Sequence, residues 1–335
     1  MSTMKTYQAK PMGGAKPMTA LDAASGTGMA FLTSELEKLD PLLREPLTSF
    51  TYPRDIFIET GGGWVDAVST MNVDYGIAGG SGAAAFGGNA VNTVRLIQAN
   101  LGKDIYKLHP YEAALSVKFI DLQKGTITGR SLEQLYDDGI RLDFDKHMDV
   151  NVYLGYEQYG TYGLLNDPRV TTASVAAGAS GQTQWNKKTP DEILHDINEA
   201  IVDQWKAVQY DNASMANHIL IPASQYAYLV SQKVSDAGNV SLLTYLLDNN
   251  IAKQKGIDLE IAECRYCEKA GTGGKDRMVV YRNERKYMSM DLAVPLTRIM
   301  TAPNVGNACY DSLYAANVGE VKKHYLEPIR YIDGI

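Results

Sequence analysis

The chain has 335 residues, of which 45% are hydrophobic and 21% charged, and its formal net charge is −7. That length suits about two domains of 100–200 residues, or one elaborate domain with an ample core. The acidic balance argues against a dedicated nucleic-acid binder, three cysteines are too few for a disulfide framework, and no apolar run approaches the roughly 18 residues of a membrane helix.

The chain opens on MSTMKTYQAKPMGGAK, which lacks the apolar core of a secretory signal, so folding in a reducing cytoplasm is expected. Residues 1–28 hold Lys5, Lys10 and Lys16, no acid before Asp22, and no period of 2 or 3.6. They are predicted to form an arm, mobile or ordered by a partner. MAFLTSELEKL (29–39) is predicted as a short helix that Pro41 and Pro46 end.

Residues 51–127 are predicted to be β. Met71, Val73, Tyr75 and Ile77 alternate with Asn72, Asp74, Gly76 and Ala78, the period of a half-buried strand, and Leu115, Val117 and Phe119 alternate in the same way. Between them GIAGGSGAAAFGGNA (76–90) carries six glycines and no charge. Ordering such a segment costs much entropy and brings few contacts of its own. A long hairpin whose tip needs another surface is therefore expected.

Residues 131–158 are predicted to be a long helix, opened by a Ser131/Gln134 capping box and closed by Gly155, Gly160 and Gly163. GLLNDPRV (163–170) then makes an apolar corner followed by a polar turn, and a small-residue linker comes after it. A second helix is predicted over 189–209, where Thr189, Pro190 and Glu192 form a start signal and Ile193, Ile197, Ala200, Ile201, Trp205 and Val208 form one stripe. HILIP (218–222) is predicted as a buried strand, with further helices from Pro222 and over SLLTYLLDNN (241–250). These elements make a compact α+β unit. Residues 257–299 return to β, and YLEPIRYIDGI closes the chain as an extended segment.

Few stretches suggest chemistry. GTGGKD (271–276) fails as a phosphate loop, because Lys269 and Asp276 stand where Gly and Ser or Thr are needed, and is predicted to be a hairpin turn. Cys264 and Cys267 form a single C-x-x-C whose thiols, on a strand, point to opposite faces, and Cys309 is the only other thiol. Asp143, Asp145, His147 and Asp149 lack the Gly and Glu of a calcium loop and are expected on a solvated helix face. None of the histidines (His109, His147, His195, His218, His324) lies in a nucleophile motif. No catalytic residue, cofactor or metal is expected.

The order of these elements resembles the Hong Kong 97-type capsid fold of tailed-phage major capsid proteins, most specifically in YGTYGLLNDPRV, HILIPASQY, SLLTYLLDN and EPIRYIDGI. The resemblance implies an α+β fold divided into an N-terminal arm (1–50), an E-loop with adjoining strands (51–127), a spine helix (128–162), a P domain (163–256), and an A domain (257–335) whose last strand returns toward the P domain. It further implies a non-enzymatic subunit of a virion, assembled in the bacterial cytoplasm as hexamers and pentamers that close an icosahedral shell around double-stranded DNA. Scaffolding, portal and decoration proteins would be separate partners. Tyr75, Ile77, Gly82, Phe86 and Arg95 would contact a neighbouring subunit. Gly163, Leu164, Leu165, Asn166 and Pro168 would set the corner between spine and P domain. Lys5, Lys10 and Lys16 would either face packaged DNA or solubilise a tail. Some relatives cross-link a lysine of the E-loop, but residues 57–102 contain none, so no such bond is expected. Two alternatives are an encapsulin-like compartment shell and a soluble metal-dependent α/β enzyme with a site near Asp143–Asp149.

Overall fold

The computed structural model describes residues 49–78, 96–128, 132–235 and 238–335. The apolar alternation of the first third forms two long antiparallel strands. β2 (Ala67–Ala78) pairs with β3 (Leu96–Lys118) in unbroken register from Ala67↔Lys107 to Ala78↔Leu96. The second half of β3 changes partner and pairs with β11 (Cys309–Lys323), from Leu108↔Gly319 to Lys118↔Cys309. The β2–β3 half therefore leaves the sheet as a two-stranded ribbon. β10 (Met288–Asn304) lies against β11, and β1 (Phe57–Thr60) runs parallel to β10, giving the order β1-β10-β11-β3-β2.

Two expectations fail along this stretch. The β prediction over 51–127 is wrong at both ends, since Tyr52–Asp55 and α2 (Phe119–Thr128) are helical. The β3 ladder stops before α2 because β11 begins at Cys309, so nothing remains to pair beyond Lys118; Phe119 instead donates its N–H to Ala308. Leu115 and Val117 are buried as expected, but Met71, Val73 and Tyr75 are exposed, because no layer of the described chain covers the ribbon.

α3 (Leu132–Tyr153) packs across the long sheet. Phe144, Met148, Val152 and Tyr153 meet Met288, Met290, Ala316 and Val321 in one core. The expected cap residue Ser131, the expected helix over 29–39 and the segment 79–95 lie outside the described residues.

A second sheet has the order β4-β12-β9-β5-β8, built from β4 (Thr172–Ser174), β5 (His218–Ile221), β8 (Glu260–Glu263), β9 (Arg277–Tyr281) and β12 (Ile329–Asp333). Its other face is covered by α4 (Pro190–Ala207), α5 (Ala223–Ser231) and α6 (Leu242–Asn249). α4 starts where its sequence says it should. Thr189 accepts the N–H of Glu192, and Glu192 Oε2 accepts the N–H of Thr189 at 2.8 Å, which satisfies two otherwise orphaned donors. Ile193, Ile197 and Ile201 bury against Ile219, Ile221 and Val280, together with Trp185.

β5 pairs with both β8 and β9, and β12 pairs with both β4 and β9. The expected boundary at 256/257 therefore runs through a hydrogen-bonded sheet, and residues 50–335 cluster as one compact unit. Local patterning could place the strands but could not show which would pair across that distance. Among the described residues, no helix is long and apolar enough to cross a membrane.

Candidate functional site

The leucines of GLLN are buried in the core that α3, the long sheet and one face of the second sheet share. α3 ends at Tyr153, and Gly155, at a φ of +67°, takes the left-handed conformation that closes a helix. The chain then returns. Leu164 donates to the Val152 carbonyl (2.8 Å) and Leu165 to that of Tyr153 (3.0 Å), so the corner satisfies the last turn of α3. Asn166 completes the cap, accepting from the Gly163 N–H at 2.8 Å and donating to the Leu154 carbonyl at 2.6 Å. A Cβ on Gly163 would lie 2.3 Å from the Tyr153 carbonyl, so only glycine fits. Leu164 and Leu165 are 0% and 1% exposed. Pro168 occupies the turn that the Val170 N–H closes onto Asp167.

Residues far away in sequence grip this corner. Tyr331 of β12 donates its hydroxyl to the Leu164 carbonyl at 2.7 Å. Arg277 of β9 donates to the Leu165 carbonyl at 2.7 Å and forms a two-pronged pair with Asp333 at 2.7 and 3.0 Å. Lys323 of β11 reaches both the Gly163 carbonyl and Asp167 at 2.8 Å. Burial alone would raise the Asp167 pKa, but hydrogen bonds from Arg169 and Lys323 hold it well below the usual carboxylate range. Sequence reading missed Arg277, Lys323, Tyr331 and Asp333. A single charged residue at the end of an apolar run is the only local signal, and it does not name a partner.

A second cluster fixes the point where the described chain begins. Asp55, in the short helix α1 (Tyr52–Asp55), is fully buried. It accepts from Arg54 (2.7 Å), His218 (3.0 Å) and the Tyr153 hydroxyl, and its carbonyl accepts from Tyr281 (2.7 Å). Burial raises its pKa, but these donors outweigh it and the pKa is lowered. Asp149 corrects the expectation of a solvated acidic face. It is buried and accepts from the Thr51 N–H and Arg265, each at 3.0 Å, while Asp143 and His147 do face solvent. The same helix thus offers acids to two surroundings, because α1 lies across one side of it.

Cys264 and Cys267 also depart from the expected strand. Cys264 caps and Cys267 ends a 3-10 turn (Arg265–Cys267), and both are buried in the core. The GTGGKD segment is a turn, with Gly271 donating to the Lys275 carbonyl at 2.8 Å. Among the described residues, no group of three or more His, Cys, Asp or Glu is placed to hold a metal ion.

The ribbon has two unlike faces. Directly opposed pairs put Met71, Val73 and Tyr75 on the same face as Lys103, Leu101 and Ala99. Tyr75 is 68% exposed and Leu101 74%. The other face carries Asn72, Asp74, Asn100 and Asp104. Ile77 pairs with Ile97 near the end of the described ribbon, while Gly82, Phe86, Arg95, Lys5, Lys10 and Lys16 lie outside the described residues. At the ribbon root, between α3 and β3, is a cavity of about 280 Å³. His109 stacks on Tyr159 with ring centroids 4.1 Å apart, and the Tyr111 hydroxyl donates to Asp143 at 2.9 Å beside it.

Among the described residues, the arrangement is one of joints and an exposed apolar face. A family model described as major capsid protein matches residues 82–335. The chain belongs to that family. This capsid protein is a structural subunit rather than an enzyme, and its place is the virion. The capsid of Myoviridae phage XM1 is similar in fold, with 17% identity and a TM-score of 0.73 over 90% of this chain and 98% of that one. The capsid of a native GTA particle gives 12% identity and 0.60 over 93% and 98%, and a structure from Microbacterium phage Oxtober96 gives 12% and 0.57 over 91% and 98%. The capsid protein thus has the Hong Kong 97-type fold of tailed-phage capsids. No curated protein matches it.

Proposed function

We propose that the chain is the shell-forming subunit of a tailed double-stranded DNA phage. Copies assemble as hexamers and pentamers, in the cytoplasm of a bacterial host, into an icosahedral shell that encloses the genome. The observation that carries this reading is the β2–β3 ribbon. It extends away from both cores and exposes Met71, Val73, Tyr75, Ile97 and Leu101, a face that gains free energy only when another surface covers it.

In this reading the ribbon is the E-loop. Tyr75 and Ile77, with Gly82, Phe86 and Arg95 beyond them, contact a neighbouring copy. α3 is the spine, and the corner from Gly163 to Pro168 fixes its angle to the second sheet, so that every subunit presents the same edges. Repeating one such contact under closed symmetry multiplies a modest pairwise attraction into a shell. Lys5, Lys10 and Lys16 serve as an interior basic arm, with sequence-blind contacts to phosphate. Separate scaffolding, portal and decoration proteins complete the particle.

The test is expression of the full chain, followed by sedimentation and negative-stain microscopy. Hollow shells or capsomers are expected. A small oligomer that never assembles at any protein concentration would overturn the reading.

A further inference from the structure

We propose that the cavity between α3 and β3 is a binding site for a small organic ammonium ion, a primary amine carried on a short aromatic or apolar stem. Its walls form a cage of rings. Tyr111 meets Phe144 nearly edge-on, with centroids 5.2 Å apart, and Tyr156 meets Tyr159 edge-on at 6.2 Å. Ring faces set at such angles attract a cation through the negative charge of their π clouds. No lysine or arginine is among the described residues that line the cavity. Asp143 stands at its rim, held by the Tyr111 hydroxyl at 2.9 Å and lying 3.6 Å from His147. The cavity holds about 280 Å³, which suits one ring with a short stem rather than a larger compound.

His109 supplies the inner contact. Its ring stacks on Tyr159, and its Nε2 is shielded from solvent without a hydrogen-bond partner among the described residues. Leaving such a nitrogen unpaired costs free energy, and an ammonium N–H that enters the cavity donates to it. The charge of the same ligand lies in the field of Asp143 and against the ring faces. A neutral aromatic would fill the walls but gain nothing from Asp143. An anion would meet that carboxylate with no lysine or arginine in the lining to offset it.

Two larger cavities do not offer this chemistry. Their buried cations are already paired within the chain, Lys323 with Asp167 at 2.8 Å and Lys322 with Asp291 at 2.9 Å. The chosen cavity also lies where β3 changes partner, since Leu108 pairs with β11 and Lys107 with β2. β3 and α3 both wall it, so an occupant ties the ribbon root to the helix and stabilises the folded chain by mass action. The site goes beyond the shell-forming reading and does not depend on it.

The experiment titrates the full chain, in whichever assembly state it is purified, with three probes of one shape: benzylammonium, benzyl alcohol and benzoate. Ligand-observed NMR reads the binding. At neutral pH benzylammonium should bind saturably and about tenfold more tightly than benzyl alcohol, and benzoate should not bind. Asp143 is exposed, so Asp143→Asn should leave the fold alone. It should bring the ammonium to within about twofold of the alcohol, whose own binding stays unchanged, and added salt should act in the same direction. Tyr159 is exposed as well, and Tyr159→Ala should weaken the ammonium by about tenfold. Tyr210→Ala, at an exposed tyrosine elsewhere, should change neither probe. Melting curves without ligand show whether each variant is folded; should Tyr159→Ala not be, Asp143→Asn decides alone. An alcohol that binds as tightly as the ammonium would overturn the proposal. So would ammonium binding untouched by Asp143→Asn, or no saturable binding at millimolar concentration.

Discussion

Leu165 and Gly163 carry the corner for different reasons. Leu165 is buried between α3 and the strand that bears Arg277, so truncation to alanine removes contacts the rigid surroundings cannot replace. Leu165→Ala should cost about 2–5 kcal/mol by denaturant titration of the unassembled subunit. Leu165→Asp should prevent folding, because its charge would have no partner there; normal shells from that variant would refute this account of the corner. Gly163→Ala should be comparably damaging without changing hydrophobicity, since the clash is with backbone. Asp167 and Asp333 make the same region sensitive to acid. Both carboxyls are buried, which alone would raise their pKa values, yet their cationic partners lower them. Their stabilisation is therefore complete above the unfolded carboxylate value of about 3.9 and is lost as pH falls through the folded values. The melting temperature of the subunit should hold from pH 8 to about 5 on their account and drop below about 4. Asp167→Asn should lower the plateau and flatten the acid limb.

At the scale of elements, legibility followed how local the cause was. α4 was readable to its first residue, because Thr189, Pro190 and Glu192 act within one turn. The inward leucines of the corner were readable as apolar neighbours, but their grip by Tyr331, Arg277 and Lys323 was not, since those partners lie more than 100 residues away. β3 shows the middle case. Alternation gave its strand character, but a period of two cannot say whether a layer covers either face, nor that its partner changes at Leu108. The burial of Asp149 was hidden likewise, because α1 comes from a separate stretch of chain. The ribbon yields a prediction that separates folding from assembly. Val73→Ser and Leu101→Ser alter exposed side chains, so each should change subunit stability by no more than about 0.5 kcal/mol. Each should nevertheless sharply reduce shell yield in sedimentation, because the loss recurs at every copy. A large fall in melting temperature with unchanged shell yield would show that the face serves the monomer instead.

For the whole molecule, the question is what holds copies together once a shell has closed. The order of elements, more than any single motif, pointed to a capsid, since four residues such as GLLN are common and a sequence of arm, hairpin, long helix and two sheets is not. That order says nothing about bond type, but composition does. Residues 57–102 contain no lysine, so the ribbon has no amine for an isopeptide bond over that span, and the cysteines are buried. The expectation is that the contacts are noncovalent and obey mass action, although the ribbon's own lysines, Lys103 and Lys107, lie just beyond that span. Shells should form above a threshold protein concentration and come apart in denaturant. Boiled particles should run as one band at the 36.7 kDa of the single chain, and intact mass should show no loss of ammonia or water. A subunit ladder from untreated particles would place a covalent bond outside residues 57–102 and end the noncovalent account. Without such bonds, cohesion depends on buried apolar area, so raising salt should leave shell yield nearly unchanged, while weakening any contact of the basic arm with phosphate.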